Sequence, residues 1–161
     1  MNLVVLSALF SVTYGVNLEL NRMTINSGGI PFVGRSDRNN GVTARVALSP
    51  DLVPNPAGTL SVAGGGSVLA TFLQLEAYYS GRDLFYLTPL VPMMDSQKLY
   101  YCACIRSNRY RYSYGRQANK TLKELLIPNL DDVPEWVNGG LSRVVSDFST
   151  RLQNICDGST P

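Results

Sequence analysis

The stretch of sequence that decides the fold is Ile30-Pro31-Phe32-Val33-Gly34-Arg35-Ser36-Asp37-Arg38-Asn39-Asn40-Gly41-Val42. Its apolar first half predicts a short strand over residues 30–35, and the residues that close the stretch begin a second strand over residues 42–46. The polar residues between the strands form a loop, in which Asn40-Gly41 is a strong turn signal. A purely structural hairpin needs only this dipeptide, so it does not account for the additional arginine and asparagine residues of the loop.

Further short strands are expected on the C-terminal side of this hairpin. They cover residues 59–63, 67–73 and 81–87, which are rich in β-branched and aromatic side chains. Residues 47–58 contain three prolines and predict an irregular connection. The three glycines at 64–66 predict a sharp turn rather than a phosphate-binding loop, because the P-loop lysine and the spacing of a dinucleotide fingerprint are missing.

Helices are expected near both ends of the chain. Residues 3–10 predict a short N-terminal helix that ends at Tyr14-Gly15. Residues 93–104 are compatible with a helix running into a strand-like segment, within which Cys102 and Cys104 alternate on one face. All three cysteines of the chain, Cys102, Cys104 and Cys156, are expected to be reduced core thiols. A last amphipathic helix is expected over residues 140–156, where apolar side chains recur at helical spacing.

Together these elements predict a mixed α/β (α+β) fold: a single globular domain with many short strands, an N-terminal helix and a short C-terminal helical tail. We place the domain at residues 1–136 and the tail at residues 137–161.

Composition excludes several classes of protein. Of 161 residues, 45% are hydrophobic and 16% charged, which excludes a disordered chain. The absence of histidine excludes Ser-His-Asp and Cys-His catalytic arrangements and imidazole zinc sites. The carboxylates are scattered, so we expect no catalytic residues, no metal and no cofactor. No stretch reaches the roughly 20 apolar residues of a membrane span, and we expect a soluble, cytoplasmic protein.

Positive charge is concentrated in residues 98–123. Seven Lys and Arg residues lie there, as do five of the nine tyrosines, while the first acidic residue after Asp95 is Glu124. Arginine forks bind phosphate groups and guanine edges, and tyrosines bond phosphates or pack on sugars and bases. Strand alternation over residues 109–114 would place arginines on one face and tyrosines on the other. A solvated basic loop with half-buried tyrosines explains this segment equally well.

The loop at 34–41 favours a nucleic-acid surface, because Arg can read guanine and Asn adenine. We predict that this loop and the basic segment line one DNA-facing groove. The residues expected to contact phosphates are Lys98, Lys120 and Lys123. Those expected to contact base edges are Arg35, Arg38, Asn39, Arg109 and Arg111, and Arg116 could contact either. The candidate DNA-binding residues are Arg35, Ser36, Arg38, Asn39, Asn40, Lys98, Arg106, Arg109, Tyr110, Arg111, Tyr112, Arg116 and Lys120.

The 30–42 stretch resembles the PF-[VI]-[SG]-R-[ST]-x-x-N-N-G segment of target recognition domains in restriction–modification systems. Such domains occur in type I specificity subunits and in BcgI-like type II enzymes. The resemblance spans about residues 3–136 and continues in chain order. It includes Tyr14-Gly15, Gly65-Gly66-Ser67-Val68, Phe72-Leu73-Gln74, Tyr79-Ser80-Gly81-Arg82-Asp83, residues 110–120 and Leu125-Leu126-Ile127-Pro128.

The resemblance implies a non-catalytic α/β module that grips one part of a bipartite double-stranded DNA target and presents it to a DNA methyltransferase (modification) subunit. The resemblance is also compatible with a restriction subunit as a second partner. Specificity subunits carry two such domains separated by long helices, whereas this chain has one domain and a short helix. The chain is therefore expected to be a half-subunit, a fragment or a single recognition module.

Residues 141–155 could form a homodimer contact through their apolar face, and packing of that face on its own domain is the equal alternative. A decoy made by a mobile element, with the same fold but occupying the modification subunit, is the rival function. A catalytic chain that merely has a basic surface is the second rival, and an RNA-binding protein is a weaker alternative.

Overall fold

The computed structural model describes residues 1–112 and 117–158. Its fold class is as predicted: many short strands combine with a few helices, and the last described element is a helix. In chain order the elements are β1 (Leu3–Val5), α1 (Leu6–Leu9), β2 (Phe10–Tyr14), β3 (Ile25–Val33), β4 (Val42–Val46), β5 (Thr59–Ala63), β6 (Thr71–Gln74), β7 (Tyr79–Ser80), β8 (Leu84–Pro89), α2 (Asp95–Ser107), β9 (Leu126–Pro128) and α3 (Glu135–Cys156).

The strands of the described residues form three sheets. The largest is antiparallel with the order β2-β8-β5-β6, and every residue of β5 is buried within it. A second sheet has the order β4-β3-β7, in which β7 runs parallel to β3. The third pairs β1 with β9 and so brings the beginning of the chain beside residues 126–128.

Helix α2 covers the largest sheet and builds the main core with it. Ile105 and Tyr101 of the helix are fully buried, and the Tyr101 ring meets the edge of Phe10 at 5.4 Å. Leu60 of β5 and Leu87 of β8 belong to the same apolar cluster. Because α2 lies against β6 and continues into residues 108–112, it fixes where the basic segment leaves the core.

The predicted helix over residues 3–10 is wrong. Only Leu6–Leu9 form a helical turn, and it separates β1 from β2. Leu3 pairs with Pro128, more than a hundred residues away, and Phe10 with Pro89, about eighty residues away. The backbone groups of these two strands therefore bond to distant strands instead of to the next turn of a helix. The apolar run fits both structures, and tertiary pairing decides between them.

The strand-like interpretation of Cys102 and Cys104 is also wrong, because both lie within α2. Residues two apart on a helix point in different directions, and accordingly Cys102 is buried while Cys104 is half-buried. Burial raises the pKa of the Cys102 thiol to about 12 and that of Cys104 above its usual value. All three cysteines are free, but Cys156 is exposed rather than part of the core.

The C-terminal helix begins at Glu135, five residues before the predicted start. Val137 in its first turn is buried, and the Asn138 side chain accepts a hydrogen bond from Gln97 of α2. From residue 141 to residue 158 every side chain is exposed. Packing of this apolar face on its own domain, one of the two expectations, is therefore wrong. In the part of the chain that the structure describes, no helix has the length and apolarity to cross a bilayer.

Candidate nucleic-acid interface

Three loops meet at one end of the sheets, and together they build the candidate interface. They connect β3 to β4 (residues 34–41), β5 to β6 (64–70) and β7 to β8 (81–83). Backbone hydrogen bonds tie them to one another: Gly81 N–H donates to Val33 at 3.0 Å, Gly64 N–H to Asp83 at 2.7 Å and Ser67 N–H to Arg35 at 3.1 Å. The loops therefore form one framework, and we call residues 34–41, 64–70 and 81–83 the loop cluster.

The Asn-Asn-Gly turn of the first loop depends on three consecutive left-handed residues. The φ angles of Asn39, Asn40 and Gly41 are 48°, 54° and 76°, a region that Asn and Gly tolerate best. The Asn39 amide donates to the Val42 carbonyl at 2.9 Å and the Asn40 amide to the Leu73 carbonyl at 3.2 Å. The premise that the turn needs only Asn40-Gly41 is thus wrong, since Asn39 also has a backbone role. Base reading by either side chain stays a prediction.

The three-glycine turn packs directly against Arg35. Gly66 has a φ of 64°, and a Cβ there would lie 3.0 Å from the Cβ of Arg35. At Gly64 a Cβ would overlap the Asn119 side chain. The sharp turn that the sequence predicts here is present. In addition, its lack of side chains is what lets Arg35 and the segment after residue 116 approach so closely.

Two arginines of the predicted interface are held by carboxylates. Arg35 Nη1 lies 2.9 Å from Asp83 Oδ2. Arg109 donates from Nε to the Val68 carbonyl at 2.9 Å, and its Nη1 lies 3.5 Å from Asp37 Oδ2. Through these contacts the structure brings the basic segment next to the loop at 34–41, because Arg109 contacts both Asp37 of that loop and Val68 of the 64–70 loop. The two regions that the sequence singles out are neighbours.

The segment Asn108–Tyr112 is a 3₁₀ helix, so the predicted strand alternation of arginines and tyrosines is wrong for residues 109–112. The rest of that prediction, residues 113 and 114, lies outside the described residues. Tyr110 is 72% exposed, and Arg111 lies over its ring at 5.8 Å while donating to its hydroxyl at 3.2 Å. Tyr112 is half-buried and its hydroxyl lies 2.9 Å from that of Thr121. Tyr110 therefore offers an exposed ring to a ligand, whereas Tyr112 helps to fix the segment.

The remaining candidates lie on both flanks of the loop cluster. The Arg106 guanidinium lies 5.1 Å from the centre of the Phe72 ring, beside the first loop. On the other flank, Lys120 and Arg111 line a cleft of about 680 Å³ together with Gln117 and Asn119. Tyr112 lines both this cleft and the neighbouring groove of Arg109, and Arg106 lies beside Asn40 of the loop cluster. We call the basic side chains on and beside the loop cluster the charged band: Arg35, Arg38, Arg106, Arg109, Arg111 and Lys120.

Other predicted residues have different surroundings. Lys98 is not brought into this band: it pairs with Asp95 at 3.2 Å in the first turns of α2, beside Gly58 at the opposite end of β5. Ser36 accepts a hydrogen bond from the Arg38 backbone at 3.1 Å. Lys123 is exposed in a short 3₁₀ turn. Arg116 lies outside the described residues, as does Tyr114.

Arg45, which the sequence places near the turn, has all three guanidinium nitrogens engaged. Its Nε donates to the Gly29 carbonyl at 2.8 Å, and its two terminal nitrogens meet the Glu76 carboxylate at 3.1 and 2.7 Å. The hydrogen bond from Arg45 lowers the pKa of Glu76. The stabilisation is therefore complete above the ordinary pKa of glutamate and is lost as pH falls through the lowered value.

Sequence reasoning missed Asp83 and Asp37 as members of the interface. The Asp83 carboxylate also accepts from Asn119 at 3.3 Å, so it joins residues that are 48 and 36 positions away in sequence. An acidic side chain beside a turn glycine carries no sequence signal for such partners. The basic residues, by contrast, were visible because they are clustered along the chain.

Comparison with known proteins agrees with the resemblance drawn from the sequence. The chain is 25% identical over 149 residues to the specificity subunit S.BcgI of a type II restriction enzyme from Heyndrickxia coagulans, covering 89% of this chain and 43% of that protein. No protein-family model matches.

Solved structures show the same fold. The S subunit of a type I restriction–modification system from M. genitalium superposes with a TM-score of 0.62 at 20% identity, covering 97% of this chain and 41% of that one. The HsdS subunit from Thermoanaerobacter tengcongensis gives a TM-score of 0.59 at 18% identity, covering 97% of this chain and 38% of that one. The chain thus spans less than half of the length of the proteins it matches, and its resemblance to restriction–modification specificity subunits is confirmed in sequence and in fold.

Proposed function

From this likeness to restriction–modification specificity subunits, we propose that the chain is a DNA target recognition domain that reads double-stranded DNA with its loop cluster. One observation carries the proposal: Arg109 of the basic segment reaches the Asp37 carboxylate and the Val68 carbonyl. These contacts join the basic segment and the loop at 34–41, which are far apart in sequence, into one surface. A charged band of this kind, with an exposed tyrosine, suits a polyanion with readable base edges.

The side chains of the band divide by what already holds them. Arg38, Arg106, Arg111 and Lys120 are exposed and can meet phosphates or base edges. Of these, Arg106 lies over the Phe72 ring and Arg111 donates from Nε to the Tyr110 hydroxyl.

Arg35 and Arg109 are half-buried and oriented by carboxylates, which gives their remaining donors defined directions. Within the described residues the Nη2 group of Arg109 is buried and has no hydrogen-bond partner, so this side chain must shift before Nη2 can reach a base. Defined direction is what base reading requires, whereas phosphate contacts tolerate variation. We therefore assign Arg35 and Arg109 to base edges and Lys120 to the phosphate backbone. Arg38 is assigned to a base edge on a different ground, its place in the loop at 34–41 beside these two arginines.

In this role the chain performs no chemistry itself. It would direct a partner DNA methyltransferase, and a restriction subunit where the system has one, to its site in the cytoplasm. Recognition by a separate protein is consistent with a chain that has no histidine and scattered carboxylates.

We further propose that α3 joins two copies of the chain. Apolar side chains alternate at spacings of four and three residues, the repeat that forms a two-helix seam. All are exposed: Leu141, Val145, Phe148, Leu152 and Ile155. A two-fold dimer would present two recognition domains to the two halves of a palindromic bipartite site.

The proposed function is tested by selecting bound sequences from randomised duplex DNA with the full chain and its methyltransferase subunit. We expect a defined motif for the natural sequence and a relaxed motif for the double variant Arg38→Ala/Arg109→Ala. An unchanged motif in the double variant would overturn the assignment of the interface. If the chain binds the methyltransferase subunit but retains no DNA, the decoy function is correct instead.

A further inference from the structure

We propose that Asp83 is a positioning residue for DNA specificity: without touching DNA, its carboxylate sets the direction in which Arg35 reads a base. This inference rests on the proposed function and adds a residue that the basic pattern does not reveal.

The carboxylate is shared between two side chains of the interface. Oδ2 accepts from Arg35 Nη1 at 2.9 Å, and Oδ1 accepts from the Asn119 amide at 3.3 Å. The Arg35 side chain is 29% exposed to solvent and the Asp83 side chain 21% exposed. A half-buried ion pair is less screened by salt and water than an exposed one, so this contact restricts the arginine.

The position of Asp83 is itself fixed by its backbone. Its N–H donates to the Tyr14 hydroxyl at 2.8 Å, and its carbonyl accepts from Gly64 N–H at 2.7 Å. The residue has a left-handed φ of 54°. The main chain therefore places the carboxylate beside Arg35 independently of the ion pair, which makes Asp83 the support and Arg35 the supported side chain.

The main chain of Arg35 is held as well. Its carbonyl accepts from Ser67 N–H at 3.1 Å, and Gly66 packs against its Cβ. With both ends of the side chain fixed, the rest of the guanidinium fork has one direction in which to project. Groups held in place before binding lose less conformational freedom on binding.

The pair also separates specificity from general affinity. An arginine whose charge is already balanced by a carboxylate gains little from a phosphate, but its free donors still form directed hydrogen bonds to a base edge. Removing the carboxylate should thus release Arg35 to contact the DNA backbone. We expect discrimination to fall while affinity for unrelated DNA stays the same or rises.

The experiment uses the full chain with its methyltransferase subunit and randomised duplex DNA, followed by affinity measurements on the selected site and its single-base variants. Asp83→Asn removes the charge and keeps both the volume and a residue type that accepts the left-handed conformation. We expect about a tenfold loss of discrimination at one base pair, the same one that Arg35→Ala affects. In the Arg35→Ala background, Asp83→Asn should cause no further loss of discrimination. If Asp83 had only a structural role, the second substitution would reduce discrimination further.

Asp51→Asn is the matched control, because Asp51 is an exposed acidic residue of the 47–58 connection, outside the loop cluster. If thermal unfolding shows that Asp83→Asn is not folded, Asp83→Gly removes the carboxylate and accepts the same φ. Unchanged discrimination in folded Asp83 variants would overturn this inference and leave the proposed function intact. Failure of the natural chain to select any motif would overturn both.

Discussion

Arg38 and Arg45 lie on the two sides of the same turn, and their surroundings predict opposite effects of substitution. No ion pair or side-chain hydrogen bond engages the Arg38 guanidinium within the described residues, whereas Arg45 is held by Glu76 and Gly29. We expect Arg38→Ala to cost about 1–3 kcal/mol of binding free energy and to relax choice at one position. Titration of the selected duplex and its single-base variants measures both effects.

Arg45→Ala is the control for this prediction. It removes the same charge from the neighbouring strand but takes no free donor from the loop cluster. The motif selected by this variant should be that of the natural chain. Equal relaxation by both substitutions would mean that net charge, and not the position of Arg38, determines the preference.

The cysteines differ in reactivity because they differ in burial. Burial raises the pKa of Cys102 to about 12, so almost none of it is thiolate at pH 8. Cys156 is exposed on α3. Treatment of the folded chain with iodoacetamide at pH 8 should label Cys156 rapidly and Cys102 only after denaturation, as peptide mass spectrometry can show. Equal labelling of the two thiols in the folded chain would contradict the buried position of Cys102.

At the scale of elements, the glycine turn at 64–66 is a structural support for Arg35. Gly66 and Gly58 have similar φ angles of 64° and 75°. A Cβ at Gly66 would press on Arg35, whereas at Gly58 it would meet only the end of the Lys98 side chain, at 3.7 Å. Alanine at either position should lower the free energy of unfolding by about 1 kcal/mol or more, because of the left-handed conformation.

Only Gly66→Ala should also alter DNA discrimination, since only that methyl group displaces Arg35. Chemical denaturation measures the first effect and competition between duplexes measures the second. Loss of discrimination in Gly58→Ala as well would show that general destabilisation, and not the contact with Arg35, weakens recognition.

The elements also show which features the sequence could predict. Strands β4 and β5 begin and end where their composition indicates, because both the local pattern and the final sheet favour extended chain. Residues 3–10 and 100–105 have apolar spacing that suits helix and strand alike. There the outcome depends on distant partners: β9 and β8 for the first segment, and the sheet beneath α2 for the second.

The candidate site was partly predictable for a similar reason. Positive charge clustered along the chain identifies Arg35, Arg38 and Arg109 without any knowledge of the fold. The carboxylates that orient them come from other segments, as Asp83 does for Arg35 and Asp37 for Arg109. Pairings between segments are set by sheet topology, which the order of residues does not reveal.

For the whole molecule, the net charge of +2 understates its attraction to DNA. Lys120 is exposed in the cleft beside Arg111, on the charged band. We expect Lys120→Ala to weaken binding to all sequences alike and to reduce the slope of log affinity against log salt by about 1. Measurements between low and physiological salt test this expectation, with Arg151→Ala on α3 as a control of equal charge.

Lys98→Ala measures how far the DNA extends. The sequence predicts a phosphate contact for Lys98, yet this residue lies near the opposite end of β5 from the loop cluster. A reduced salt slope in this variant would support a path of the duplex along α2. An unchanged slope would confine the DNA to the loop cluster and its flanks.

The exposed apolar repeat of α3 predicts how the molecule assembles. The Phe148 side chain is 63% exposed in the middle of the apolar repeat of α3, and an exposed repeat of this length favours a partner helix over water. We expect the natural chain to dimerise in a concentration-dependent way, and Phe148→Asp to be monomeric because a dimer would bury its charge. Thr150→Asp places the same charge on the opposite side of the helix and should still dimerise. Light scattering across a range of concentrations distinguishes these cases. A natural chain that stays monomeric at high concentration would exclude a second copy as the occupant of this face.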